Sequence, residues 1–123
     1  MDTSNISQVI KDAAAIEAAK QQIPLELILA ICVKESSAQI YASRFEPHIY
    51  AEIMKKPDEE IKKYNPCSRA TERVCQAMSF GPMQVMGQSA RFMGFTLPFL
   101  TELCNPTYGI EYGCKVLKFW WLS

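Results

Sequence analysis

Histidine occurs once, glycine five times, and none of the five cysteines forms a Cys-x-x-Cys pair. Each scarcity removes a class of chemistry. A Ser-His-Asp or Cys-His arrangement would have to use His48, and a histidine-rich metal site is impossible. So few glycines leave no phosphate-cradling loop of either common spacing. Structural zinc usually announces itself by a close cysteine pair on a turn, so no metal and no cofactor is expected. Charge of one sign is lacking too: 13 basic and 13 acidic residues cancel. That balance gives no footprint for nucleic acid and no polybasic membrane patch. The longest apolar run, Leu27 to Val33, lies between Glu26 and Lys34, far short of the ~20 residues of a membrane span. The N-terminal MDTSNISQ is polar, without the basic and apolar regions of a secretory signal.

What is present suits one folded domain over residues 1–123. Hydrophobic residues make up 49% of the chain, and a chain this long buries roughly two thirds of its unfolded surface. Ser4 or Asn5 can cap a first helix through KDAAAIEAAKQQ, with Ile10, Ala14 and Ile16 to bury. Pro24 suits the first turn of a second helix, LELILAICVKESS, whose Leu25, Ile28, Leu29 and Cys32 follow the helical period. YASRFEP reads as extended, because the residue before Pro47 is pushed out of helical space. Short helices interrupted at Pro57 follow, and EIMKKPDEEIKK reads as a solvated face. After a turn at Asn65-Pro66, Ser68 can cap RATERVCQA. Gly81-Pro82 stops any helix in MSFGPMQVMG. QSARFMGF reads as a short helix ended by Gly94, with Phe92, Met93 and Phe95 expected in the core. Asn105-Pro106 opens the last helix. The class is all-α with a minimal β element.

The cysteines are an odd number. Cys67 with Cys75 and Cys104 with Cys114 could bridge, but reduced thiols are the favoured reading, with Cys32 a small buried hydrophobe.

Chemistry must then rest on carboxylates, hydroxyls or thiols. Glu35 lies one turn beyond Ile31 at the end of an apolar helix. Burial and the negative helix end would both disfavour its ionised form, as a glycosidase general acid requires. The alternative is an ordinary charged residue beside Lys34, exposed to water. Glu46 in RFEP is the other candidate, with pairing to Arg44 favoured over catalysis. SFGPMQ either lines a cleft through its backbone, the Ser79 hydroxyl and the Gln84 amide, or is a plain turn.

Taken together, KESS at 34–37, RFEPHIY at 44–50, SFGPMQVMG at 79–87 and NPTYGIEYGCKVL at 105–117 form an ordered set. In this combination the sequence resembles the catalytic domain of soluble lytic transglycosylases, related to goose-type lysozyme, and most nearly the compact versions associated with phages and prophages. The resemblance covers about residues 20–118. It implies a lysozyme-like helical domain in which Glu35 is the sole acid and base. Gly81, Pro82, Met83 and Gln84 fall on the Gly-Leu-Met-Gln motif, with proline for leucine, and Met83 and Gln84 take the cleft-lining role. Ser36, Glu46, Ser79 and Gly81 complete the substrate-binding set.

Gly109 stands where many members carry asparagine. The family usually continues into a helix with an Ala-Tyr-Asn-Ala-Gly motif, whereas this sequence stops at Ser123. The expectation is therefore a domain lacking its C-terminal helix, with self-association through Phe119, Trp120 and Trp121. The implied activity is cleavage between N-acetylmuramic acid and N-acetylglucosamine in peptidoglycan, leaving a 1,6-anhydro-muramoyl end. The runner-up is a hydrolytic muramidase, and a third reading is a non-catalytic glycan-binding domain. Action on the cell wall without a signal peptide would fit carriage in a phage particle or release on lysis.

Overall fold

A computed structural model describes residues 2–122 of the chain. The first helix, α1 (Gln8–Gln21), starts after Ser7, not after Ser4 or Asn5, and the Ser7 side chain makes no capping bond. Ser4 and Asn5 belong to the preceding turn, where Asp2 accepts from the Ser4 amide and Thr3 from the Ile6 amide. Ile10, Ala14 and Glu17 form the buried face of α1. Ile16, expected inside, is 59% exposed because it is rotated off that stripe.

Helix α2 (Leu25–Ser36) begins with the Pro24 carbonyl accepting from Leu27 and Ile28, and it buries Ile28, Leu29 and Cys32. It ends on two consecutive left-handed residues, Ser37 (φ 53°) and Ala38 (φ 57°). That reversal sends the chain into strand β1 (Ser43–Phe45), within the segment expected to be extended. Helix α3 (Pro47–Met54) and a 3₁₀ turn, Asp58–Glu60, flank Pro57. Not all of that stretch is solvated. Ile53 and Ile61 close on Ala77 as a small second core, and the buried Arg73 donates to the Ile53 carbonyl and pairs with Asp58.

Helix α4 (Arg69–Gln76) is capped as expected, with Ser68 Oγ accepting from the Thr71 amide at 3.1 Å. The chain then forms strands β2 (Met78–Phe80) and β3 (Val85–Met86) around the turn 81–84. The sheet is antiparallel in the order β1-β2-β3, with Arg44 opposite Ser79 and Ser79 opposite Met86. Helix α5 (Gly87–Phe92) closes in a Schellman motif. Gly94 (φ 99°) donates to Arg91 and Phe95 donates to Ala90. Phe95 is buried, but Phe92, also expected in the core, is 65% exposed because the next turn carries the chain inward only after Gly94. A second 3₁₀ segment, Leu100–Cys104, leads to helix α6 (Pro106–Trp120), where the Asn105 side chain accepts from Thr107.

The main core gathers α1, α2 and α6 around Ile10, Ile28, Cys32, Ile110 and Cys114, and Phe80, Met83 and Val85 of the hairpin cover one side. Among the described residues the architecture is therefore six α-helices with one small sheet, matching the expected class. No described helix is long and apolar enough to cross a membrane. All five cysteines are free thiols.

Candidate functional site

Glu35 sits in the last turn of α2, where the helix leaves the core. Of the two readings of Glu35, buried or exposed beside Lys34, the exposed one holds, because it lies beyond Cys32, the last buried residue of the helix. Its carboxylate makes no hydrogen bond or ion pair with any described residue. It opens onto a small depression of about 120 Å³, lined also by Met83 from the 81–84 turn and by Gly113, Leu117 and Trp121 of α6 and its end. Among the described residues, Glu35 is the one ionisable group on that lining. The close approach of Met83 depends on Gly113, since a Cβ there would meet the Met83 sulfur.

The turn carrying Met83 is clamped. Ser36 Oγ donates to the Pro82 carbonyl at 2.7 Å and accepts from the Gln39 amide. Gln84, itself left-handed at φ 52°, donates from Nε2 to the carbonyls of Ala42 and Gly81, each at 3.0 Å. Gly81 (φ 80°) is buried with the Leu103 carbonyl against the position a Cβ would take. Ser79 is buried and donates to the Met86 sulfur at 2.9 Å. The side chains of Ser36, Ser79 and Gln84 are thus engaged in holding the turn, while Met83 faces the depression beside Glu35. Left-handed non-glycine residues, Ser37, Ala38 and Gln84, gather at the end of α2 and in this turn.

Glu46 stands apart from that depression. It pairs with Arg44 Nε at 3.0 Å, the pairing expected from RFEP, and His48 Nδ1 lies 4.0 Å from its other oxygen. Among the described residues no group of three or more His, Cys, Asp or Glu could hold a metal ion.

A second polar centre escaped the sequence reading. Glu72, 1% exposed, accepts two bonds from Arg91, at 2.8 and 2.9 Å, and one from Gln76. Arg91 also donates to the carbonyls of Phe95, Leu97 and Pro98, so all five of its N–H donors are used. Its guanidinium lies 3.6 Å from the centre of the Tyr64 ring. The i, i+4 spacing of Glu72 and Gln76 was the one local signal; Arg91 comes from another helix. Compared with known proteins, the chain matches no family profile, no curated protein and no solved structure.

Proposed function

We propose that the chain is a lytic transglycosylase acting on the peptidoglycan glycan strand. Glu35 protonates the glycosidic oxygen between N-acetylmuramic acid and N-acetylglucosamine, and the bond to the leaving sugar breaks. The resulting carboxylate then takes the proton of the muramoyl C6 hydroxyl, whose oxygen closes the 1,6-anhydro ring. One carboxylate serves both steps because acid and base act in sequence.

The observation that carries this reading is an unpaired carboxylate, the one ionisable group among the described residues on the lining of a depression. A hydrolase needs a second carboxylate across the scissile bond, as nucleophile or to activate water. Glu46, the alternative partner, is occupied by Arg44 and is not on that lining. Trp121 offers a flat face beside Glu35 on which a sugar ring can lie.

Digestion of purified peptidoglycan, with mass spectrometry of the released fragments, tests the proposal. The expected fragments lack a reducing end and are one water lighter than hydrolysis products. Glu35→Gln should lower their release by roughly 10²–10⁴-fold. Reducing-end products would assign hydrolysis instead, and retention of glycan without release would assign a binding domain.

A further inference from the structure

A larger pocket, about 440 Å³, lies between the 56–64 segment, α4, α5 and the end of α6. That volume is within the range of small-molecule sites. Its charged backdrop is closed to ligands: Arg91 has no donor left, and Glu72 is buried with its oxygens bonded. Beside the exposed and likewise unpaired Glu60, the groups still free on the lining are Lys56, Gln88 and Ser89. All three are half-buried, and their side chains make no hydrogen bond or ion pair with any described residue. Phe92 and Trp120, packed at 5.6 Å between ring centres, supply an aromatic wall.

We propose that this pocket is a second recognition site, for a pyranose that carries a carboxylate. The ammonium of Lys56, with Lys62 at the rim and Glu60 opposing one of the two charges, leaves one net positive charge for a monoanion. The ring lies against Phe92 and Trp120. Its hydroxyl or acetamido groups satisfy Gln88 and Ser89, which a plain aromatic acid would leave unpaired. Trp120 lines this pocket, and the next residue in sequence, Trp121, lines the Glu35 depression. This deepens the proposed function, because N-acetylmuramic acid is such a sugar, but it stands on its own lining residues.

The test is a titration of the full chain with N-acetylmuramic acid, followed by amide and indole NMR shifts, with N-acetylglucosamine as the neutral comparator and benzoate as the aromatic acid. The expected shifts fall at Lys56, Gln88, Ser89 and Trp120, with N-acetylmuramic acid binding about fivefold tighter than the neutral sugar, the worth of one partly exposed ion pair. Lys56→Gln should erase that preference, Trp120→Ala should weaken both sugars, and Glu35→Gln should change neither affinity. Benzoate binding as tightly as the sugar acid overturns the pyranose assignment. Shifts confined to Met83, Gly113 and Trp121, or a preference that survives Lys56→Gln, overturn the site. None of these outcomes depends on whether the chain cleaves peptidoglycan.

Discussion

Ser36 and Pro82 are 46 residues apart in sequence and 2.7 Å apart at Oγ and carbonyl oxygen. This bond joins the end of α2 to the turn that carries Met83, and so sets Glu35 against Met83. Ser36→Ala should cost about 1 kcal/mol, because the Pro82 carbonyl loses its donor in a part-buried place. The urea midpoint should fall without a change in slope. An unchanged midpoint would mean that the turn holds its place without the clasp.

Gly81 and Gly109 press on the same atom, the Leu103 carbonyl oxygen, one from the hairpin turn and one from α6. A larger side chain at position 109 has no room here. Gly109→Ala gains about 1 kcal/mol of helix propensity but forces backbone apart, at a cost of roughly 1–3 kcal/mol or more. The expected result is a lower thermal midpoint, measured by circular dichroism. A midpoint equal to or above that of the parent would show that the 3₁₀ segment yields.

Local signals in the sequence read well where local chemistry decides. Ser68 and Asn105 cap the helices expected of them, Gly94 closes α5, and Pro57 divides α3 from the 3₁₀ turn. The failures come where a distant partner decides. Glu17 and Glu72 look solvent-facing by type, but they are buried because Gln21 and Arg91 bond to them. The candidate site divides the same way. Glu35 was legible as a carboxylate at a helix end, but its exposure follows from where the core stops. That Ser79 and Gln84 are bonded to Met86 and to backbone follows from strand pairing and turn closure, which periodicity does not encode.

Arg91 should be intolerant of conservative change. Lysine cannot supply the planar fork that grips Glu72 while also reaching three carbonyls. Glu72→Gln should cost about 3–5 kcal/mol, the usual result of leaving one member of a buried pair uncompensated. Arg91→Lys, which keeps the charge but leaves carbonyls without a donor, should cost about 1–3 kcal/mol. Replacing both together, Glu72→Leu with Arg91→Met, should cost less than the sum of Glu72→Leu and Arg91→Met made singly. Additive costs in that double-mutant cycle would contradict the coupling.

Alkaline pH should weaken the fold through its two innermost thiols. Burial pushes the Cys32 and Cys114 thiols up to about 12 from 9.0. Between those values the unfolded chain releases both protons while the folded chain keeps them, so stability falls as pH rises. The slope reaches about 1.4 kcal/mol per pH unit for each thiol. Cys114→Ala should start from a lower stability but lose it less steeply above pH 9.0. Parallel curves for variant and parent would exclude this thiol as the source.

The aromatic end of α6 bears on association. Phe92, Phe119 and Trp120 pack edge to face or tilted at 4.8 to 5.6 Å, and their outer faces remain exposed. Trp121 stands beside them at 78% exposure, and Leu122 extends the patch. Each such ring buries about 150–250 Å² when fully covered, so the group approaches the few hundred Å² at which exposed patches act as contact surfaces. Sedimentation velocity should therefore show concentration-dependent association, and a hydrophobic dye should bind. Phe92→Ser with Trp121→Ser removes the two most exposed rings of this patch without touching a buried core residue, and should return the chain to monomer with its helical spectrum intact. Because Trp121 also lines the Glu35 depression, association through it should compete with glycan. Adding chitin oligosaccharide to the parent should shift the distribution toward monomer, whereas a monodisperse parent at every concentration would refute the patch as a contact surface.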